Sequence, residues 1–193
     1  MRDKIRTLIE LFSRFFSKSD VVFLNTTVKD TIYERAKTKS KESIHVASFE
    51  NKRNLVKQLI HSAVGEVKIF INTSFTEEAE IHNDYQVLDE ILKACLRDVA
   101  VQVIVTDISK MEGMLKMSSD LSKHYLNFDL KIYYLNNNEN NFSYTSSFLI
   151  ADDGVRILER DHVKSVGNFN FPEIANQLRK YFISIREKNT FEL

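Results

Sequence analysis

The residues best suited to hold a ligand are polar groups that follow two apolar runs. Asn72, Thr73 and Ser74 come directly after Val67–Ile71, and Thr106 and Asp107 after Val101–Val105. In open α/β sheets, ligands collect outside the carboxyl ends of the strands. Hydroxyl, amide and carboxylate groups at such an edge can hold a phosphate, a nucleotide or a polar peptide. The same residue types also make ordinary strand-end turns and helix caps. Asp152–Asp153 can bind a divalent ion, but beside Gly154 the pair reads as an acidic turn. His45, His61 and His124 each stand alone, without a partner at metal-ligand spacing. Gly65, Gly113, Gly154 and Gly167 are scattered singly, so there is no Gly-rich phosphate loop, nor a nucleophile elbow or a paired-His metal motif. The expectation is no cofactor and no metal. Cys95, with Leu92 and Leu96 nearby, reads as a buried thiol, and a single cysteine excludes an internal disulfide framework.

A chain of 193 residues with 43% hydrophobic and 28% charged residues suits one folded domain and not a disordered one. Lys plus Arg and Asp plus Glu number 27 each, so no global field attracts nucleic acid or anionic lipid. No stretch approaches the roughly 20 apolar residues that span a bilayer. Glu10, Arg14 and Lys18 interrupt any signal-peptide-like apolar region. The expected location is the cytoplasm.

The elements that would position the polar edge follow from apolar spacing. Ile5, Leu8, Ile9, Phe12, Phe15 and Phe16 make one helical face over residues 2–18, with Arg2, Lys4, Arg6, Arg14 and Lys18 around it. Such a helix packs on its own domain or a second subunit, or lies on a membrane surface. A helix from Thr27 carries Val28, Ile32 and Ala36 inward and fades into the charged run 37–41. Then come a strand at Ile44–Ala47 and a helix led by Ser48 or Glu50, which Gly65 ends as a left-handed cap. Strands at Val67–Ile71, Val101–Val105 and Leu130–Leu135 alternate with helices over 83–97 and about 110–126, the former with Tyr85, Leu88, Leu92, Cys95 and Leu96 on its stripe. Tyr144–Ala151 and Val155–Leu158, joined by Asp-Asp-Gly, read as a hairpin. Pro172 opens a last helix, and a frayed tail follows. This order predicts an α/β fold with a mixed, largely parallel sheet flanked by helices on both faces. Residues 1–43 would be an N-terminal helical segment packed on the domain or a partner, 44–187 the α/β domain and 188–193 the tail.

The run Val87–Leu92, the strand Val101–Val105 and the segment Ser146–Gly154 together resemble one catalytic half of the phospholipase D superfamily over residues 44–187. That family carries a His-x-Lys-x4-Asp motif ending in Asp-Gly. With Asp153 at the aspartate place, Ser146 stands for the histidine and Phe148 for the lysine. Gly167–Asn168–Phe169–Asn170 loosely echoes the Gly-Ser-x-Asn element that follows. In active members one histidine attacks phosphorus, a second protonates the leaving group, and the lysines hold the phosphoryl oxygens as charge builds. Ser146 and Phe148 supply neither group, so the resemblance implies a degenerate, catalytically inactive module with no catalytic residue. His162–Val163–Lys164 has the right spacing but meets Phe169 at the aspartate place, and His82–Asn83–Asp84 puts an acid at the lysine place ahead of a helix.

The expected function is therefore a non-catalytic module acting in binding, regulation or assembly in a bacterial-type cytosolic system. The candidate ligand-binding residues are Asn72, Thr73, Ser74, Thr106, Asp107 and Ser146, and the candidate interface is Leu8, Phe12, Phe15 and Phe16. The expected partner is another protein or a second copy of the chain. The alternatives are a phosphodiesterase or nuclease-like enzyme with a non-standard site, and contact with nucleic acid or a membrane surface through the basic N-terminal region. The zero net charge does not favour nucleic acid.

Overall fold

The computed structural model describes residues 27–124, 129–135, 146–158 and 163–192. The apolar stripe with Leu8, Phe12, Phe15 and Phe16 lies outside the described residues, as does His162.

Helix α1 (Val28–Thr38) begins at a capping box. The Thr27 hydroxyl and the Asp30 carboxylate each take a backbone N–H of the other residue, and Lys39 closes the helix in the left-handed region at φ 50°. Strand β1 (Ile44–Val46) leads to α2 (Phe49–Ser62), capped by Ser48. Next come β2 (Glu66–Ile71), α3 (Thr76–Asn83), α4 (Tyr85–Leu96) and β3 (Ala100–Val105). A single 3-10 turn, Ile108–Lys110, precedes α5 (Glu112–His124) and β4 (Leu130–Leu135). The chain closes with β5 (Phe148–Ala151), β6 (Gly154–Leu158), β7 (Ser165–Asn168), α6 (Pro172–Asn189) and β8 (Thr190–Glu192).

The strands form one eight-stranded sheet in the order β1-β7-β6-β5-β2-β3-β4-β8. Only β2–β3 and β3–β4 are parallel, while the other neighbours run antiparallel. The expectation of a largely parallel sheet is thus corrected to mixed, mostly antiparallel. Parallel neighbours need a long, usually helical crossover, and of the strands adjacent in the sheet and consecutive in the chain only β2–β3 and β3–β4 are joined through helices. The two-residue turn at Asp152–Asp153 reverses the chain between β5 and β6, with Asp152 at φ 50°. Helices do cover both faces. Helices α1 to α5 bury Ile32, Leu55, Leu59, Ile81, Ile91 and Met114 on one side. On the other side, α6 is the one described helix, packing Ile174, Leu178, Phe182 and Ile185 against Phe70, Ile104, Phe148 and Ile150.

Three local readings are revised. The expected helix over 83–97 starts later and follows a separate helix, because Asp84 ends α3 and its carboxylate takes the Gln86 N–H as the N-cap of α4. In consequence Tyr85 and Leu96 are 74% and 53% exposed, and Val87, Ile91, Ala94 and Cys95 form the inner stripe. Helix α2 ends through an extended Ala63, and no glycine among the described residues has a positive φ. Gly65 is thus no left-handed cap. Residues Thr190–Glu192 are not frayed but pair with β4, Phe191 opposite Tyr134.

Candidate functional site

The strand-end polar residues sit at one end of the sheet. Asn72 and Thr73 are buried where β2 stops, and their backbone N–H groups go to side-chain hydroxyls next to the neighbouring strands. The Asn72 N–H donates to Ser147 Oγ at 2.9 Å, which ties the end of β2 to the residue before β5. The Thr73 N–H donates to Thr106 Oγ1 at 2.9 Å, and the two threonine hydroxyls lie 2.8 Å apart. Lys110 Nζ reaches the Thr73 carbonyl at 3.0 Å. The Ser74 N–H donates to Asn72 Oδ1, an Asx-type turn that leaves Ser74 exposed. The Asp107 carboxylate accepts both the hydroxyl and the N–H of Ser109, and these two bonds hold it below the usual carboxylate range. Ser146 lies one position further along, and its hydroxyl donates to the Leu158 carbonyl at 2.7 Å. Thr73 and Thr106 are therefore in direct contact, Asn72 and Ser74 in one turn, Asp107 serves its own turn, and Ser146 is tied to the end of β6.

Under α3 lies a largely buried charge network that spacing alone does not reveal. Arg156, on β6, is fully buried and makes a two-pronged pair with Glu78 of α3, at 2.8 and 2.5 Å, and also donates to Ser165 Oγ at 2.7 Å. Lys52, in the first turn of α2, is 1% exposed and pairs with Glu77 at 2.5 Å. His82, one turn beyond Glu78, is equally buried, its Nδ1 lying 2.8 Å from the Glu78 carbonyl. A carbonyl only accepts, so the proton of the neutral ring sits on Nδ1 and the lone pair on Nε2. Nε2 has no hydrogen-bond partner among the described residues, and neither has Arg156 Nε. Burial pushes the Glu78 carboxyl up, but the neighbouring positive groups, the Arg156 guanidinium foremost, together outweigh it, and the group stays below the ordinary range. Burial also pushes His82 down, reinforced by Arg156 and opposed by Glu78.

The signals for this network in the sequence are faint. Arg156 is one charge in an otherwise apolar strand, and nothing in Thr76–Glu77–Glu78–Ala79 marks which glutamate turns inward. His82 belongs to the end of α3, not to a segment ahead of a helix. Of the other histidines with described side chains, His45 is exposed and His61 pairs with Glu90 at 3.1 Å on the surface.

The aspartates of the hairpin turn divide their work. The Asp152 carboxylate accepts the N–H groups of Val64, Gly65 and Glu66 at 2.8, 3.0 and 3.0 Å, whereas Asp153 is exposed. Arg179 of α6 completes the anchorage by bonding both the Glu66 carboxylate and the Asp152 carbonyl. Phe148 sits in the second core, stacked on Phe70 with ring centroids 5.4 Å apart and against Tyr181 at 5.9 Å. A separate cleft of about 330 Å³ between α1, α2 and the start of α4 is lined by Lys29, Asp30, Glu50, Arg53 and Lys57. Its charges are of both signs, and Arg53 is already paired with Asp84. Among the described residues no three His, Cys, Asp or Glu side chains converge as metal ligands. No helix among them is long and apolar enough to cross a membrane.

This architecture is a phospholipase D-like fold. It is similar to Nuc from Salmonella typhimurium, a phospholipase D family member, with a TM-score of 0.54 at 13% identity, covering 79% of this chain and 99% of Nuc. It is similar to the phosphatidylserine synthase of Haemophilus influenzae Rd KW20, with a TM-score of 0.54 at 12% identity, covering 79% of this chain and 39% of the synthase. TrmBL2, an archaeal chromatin protein with a novel mode of DNA binding, superposes with a TM-score of 0.57 at 16% identity over 96% of this chain. The match spans 65% of TrmBL2. No protein-family model matches the sequence, and no curated protein does.

Proposed function

We propose that this chain is a non-catalytic phospholipase D-like module that acts by binding, as a regulatory or assembly partner. One observation carries the reading: the segment where the family's chemistry would stand bears neither an imidazole nor an ammonium. Counted back from Asp153, the two places are Ser146, whose hydroxyl is spent on Leu158, and Phe148, which is buried between aromatic rings. The anchoring role of Asp152 favours a count shifted by one residue. The lysine place then falls on Ser147, fully buried and bonded to the Asn72 N–H, and the histidine place on Thr145, outside the described residues. Neither count provides a nucleophile or a cation for the phosphoryl oxygens.

The rim of Asn72, Thr73, Ser74, Thr106, Asp107 and Ser146 is the proposed ligand edge, and Leu8, Phe12, Phe15 and Phe16 the proposed interface. Phosphodiesterase assays on a chromogenic diester, nucleic acid and phospholipid vesicles, with and without divalent metal, should show no turnover. Robust turnover lost in His162→Ala would overturn the proposal. Light scattering of the full chain against one lacking residues 1–18 tests the interface, and an unchanged mass refutes it.

A second reading is nucleic-acid contact through the basic N-terminal region. The resemblance to a DNA-binding chromatin protein supports it, as do Lys37, Lys39 and Lys41, exposed at the end of α1. Binding of that kind weakens steeply with salt. Gel-shift titrations on duplex DNA at rising ionic strength would separate it from apolar pairing of chains.

A further inference from the structure

The network contains two buried cations, Lys52 and Arg156, the buried carboxylate of Glu78 and the partly exposed one of Glu77, so it is balanced while His82 is neutral. A proton on His82 would add one uncompensated charge on a buried ring. It would go to Nε2, the atom without an acceptor among the described residues, so a buried charged donor would be left unsatisfied. The other charged groups on the elements round α3 are paired or exposed. Asp84 is with Arg53, Glu90 with His61 and Lys93, Lys110 is on the Thr73 carbonyl, and Glu112 and Lys116 face solvent. None of these interactions involves the imidazole.

The element that carries His82 is short and has no side-chain cap at its start. Helix α3 has eight residues and is broken from α4 at Asp84. A helix this short holds by packing and not by its own propensity. It supplies Glu77 and Glu78, the two carboxylates that cover Lys52 and Arg156.

We propose that α3 is an acid-released latch: charging His82 lifts the helix off the sheet and uncovers Lys52 and Arg156. The direction follows from linkage. The folded site disfavours the charged ring, so the stabilisation is complete above the ordinary histidine value of about 6.5 and drains away as pH falls below it. If the closed form stays unprotonated and the opened one titrates normally, the open population rises about tenfold between roughly pH 7.5 and pH 5.5.

Amide hydrogen exchange, corrected for the intrinsic pH dependence, reads this directly. Peptides covering residues 75–83 should lose protection about tenfold over that range, while β3 peptides hold. In His82→Gln, uncharged at every pH, the pH dependence should vanish; in His45→Gln it should persist. Constant protection of α3 in the native chain, or a pH dependence that survives His82→Gln, overturns the latch. Should His82→Gln fail to fold, ring NMR of the native protein decides. The expected result is a His82 ring that stays neutral while α3 amides are protected, and a ring titrating near 6.5 with α3 still protected refutes the proposal.

Discussion

Breaking the Arg156–Glu78 pair is the most severe single perturbation this fold offers outside its apolar core. Both side chains are 1% exposed or less, joined by bonds of 2.8 and 2.5 Å, and Arg156 holds Ser165 as well. Removing one partner leaves a charge buried without compensation, at a cost of about 3–5 kcal/mol. That is a large share of the roughly 5–15 kcal/mol typical of a whole domain. Arg156→Met and Glu78→Gln should each shift urea midpoints by this amount with little change in slope. The double replacement Arg156→Met with Glu78→Leu should cost far less than the two single losses together, because no orphaned charge remains. Far-UV circular dichroism is the suitable probe, since the chain has no tryptophan. If Arg156→Met costs less than about 1 kcal/mol, or the double change is additive within about 0.5 kcal/mol, the pair is not the buried ion pair described.

Three further outcomes follow from other contacts. At Gly167 an added Cβ would stand 2.6 and 2.7 Å from the Leu55 methyl carbons, so Gly167→Ala should destabilise by about 1–3 kcal/mol, read as a lowered urea midpoint. Asp152→Ala removes the acceptor of three backbone N–H groups and the residue best suited to φ 50°, for a loss of about 2 kcal/mol that shows as faster exchange at Val64, Gly65 and Glu66. Burial pushes the Cys95 thiol up to about 12, so Ellman's reagent near neutral pH should react with it only as the chain unfolds, at a rate that rises with urea.

Much of the fold is legible in the sequence because its strands are short apolar runs between polar stops. Leu130–Leu135 matches to the residue, and the Asp-Asp-Gly turn marks the β5–β6 hairpin correctly. The direction of pairing is not legible, since a strand buried on both faces reads the same beside a parallel or an antiparallel neighbour. Strand β8 escapes because three residues, Thr190–Glu192, carry no period at all. The break at Asp84 left a sign that can be read: an aspartate two residues before Gln86 offers an N-cap inside what otherwise passes for a continuous helix. The buried network stays hidden because charge in a sequence does not state its depth. Lys52 and Lys57 lie on one helix, yet the first is buried against Glu77 and the second is half-buried and reaches Gln86.

The unequal cover of the sheet has a consequence during synthesis. One face is roofed by α1 to α5, all made before residue 125, whereas Phe70, Ile104, Phe148 and Ile150 wait for α6, whose apolar residues run from Ile174 to Ile185. Until those residues leave the ribosome, no other helix among the described residues is there to cover this face. Among the described elements this face is therefore covered last, and its exposure to chaperones and to aggregation lasts until α6 docks on it.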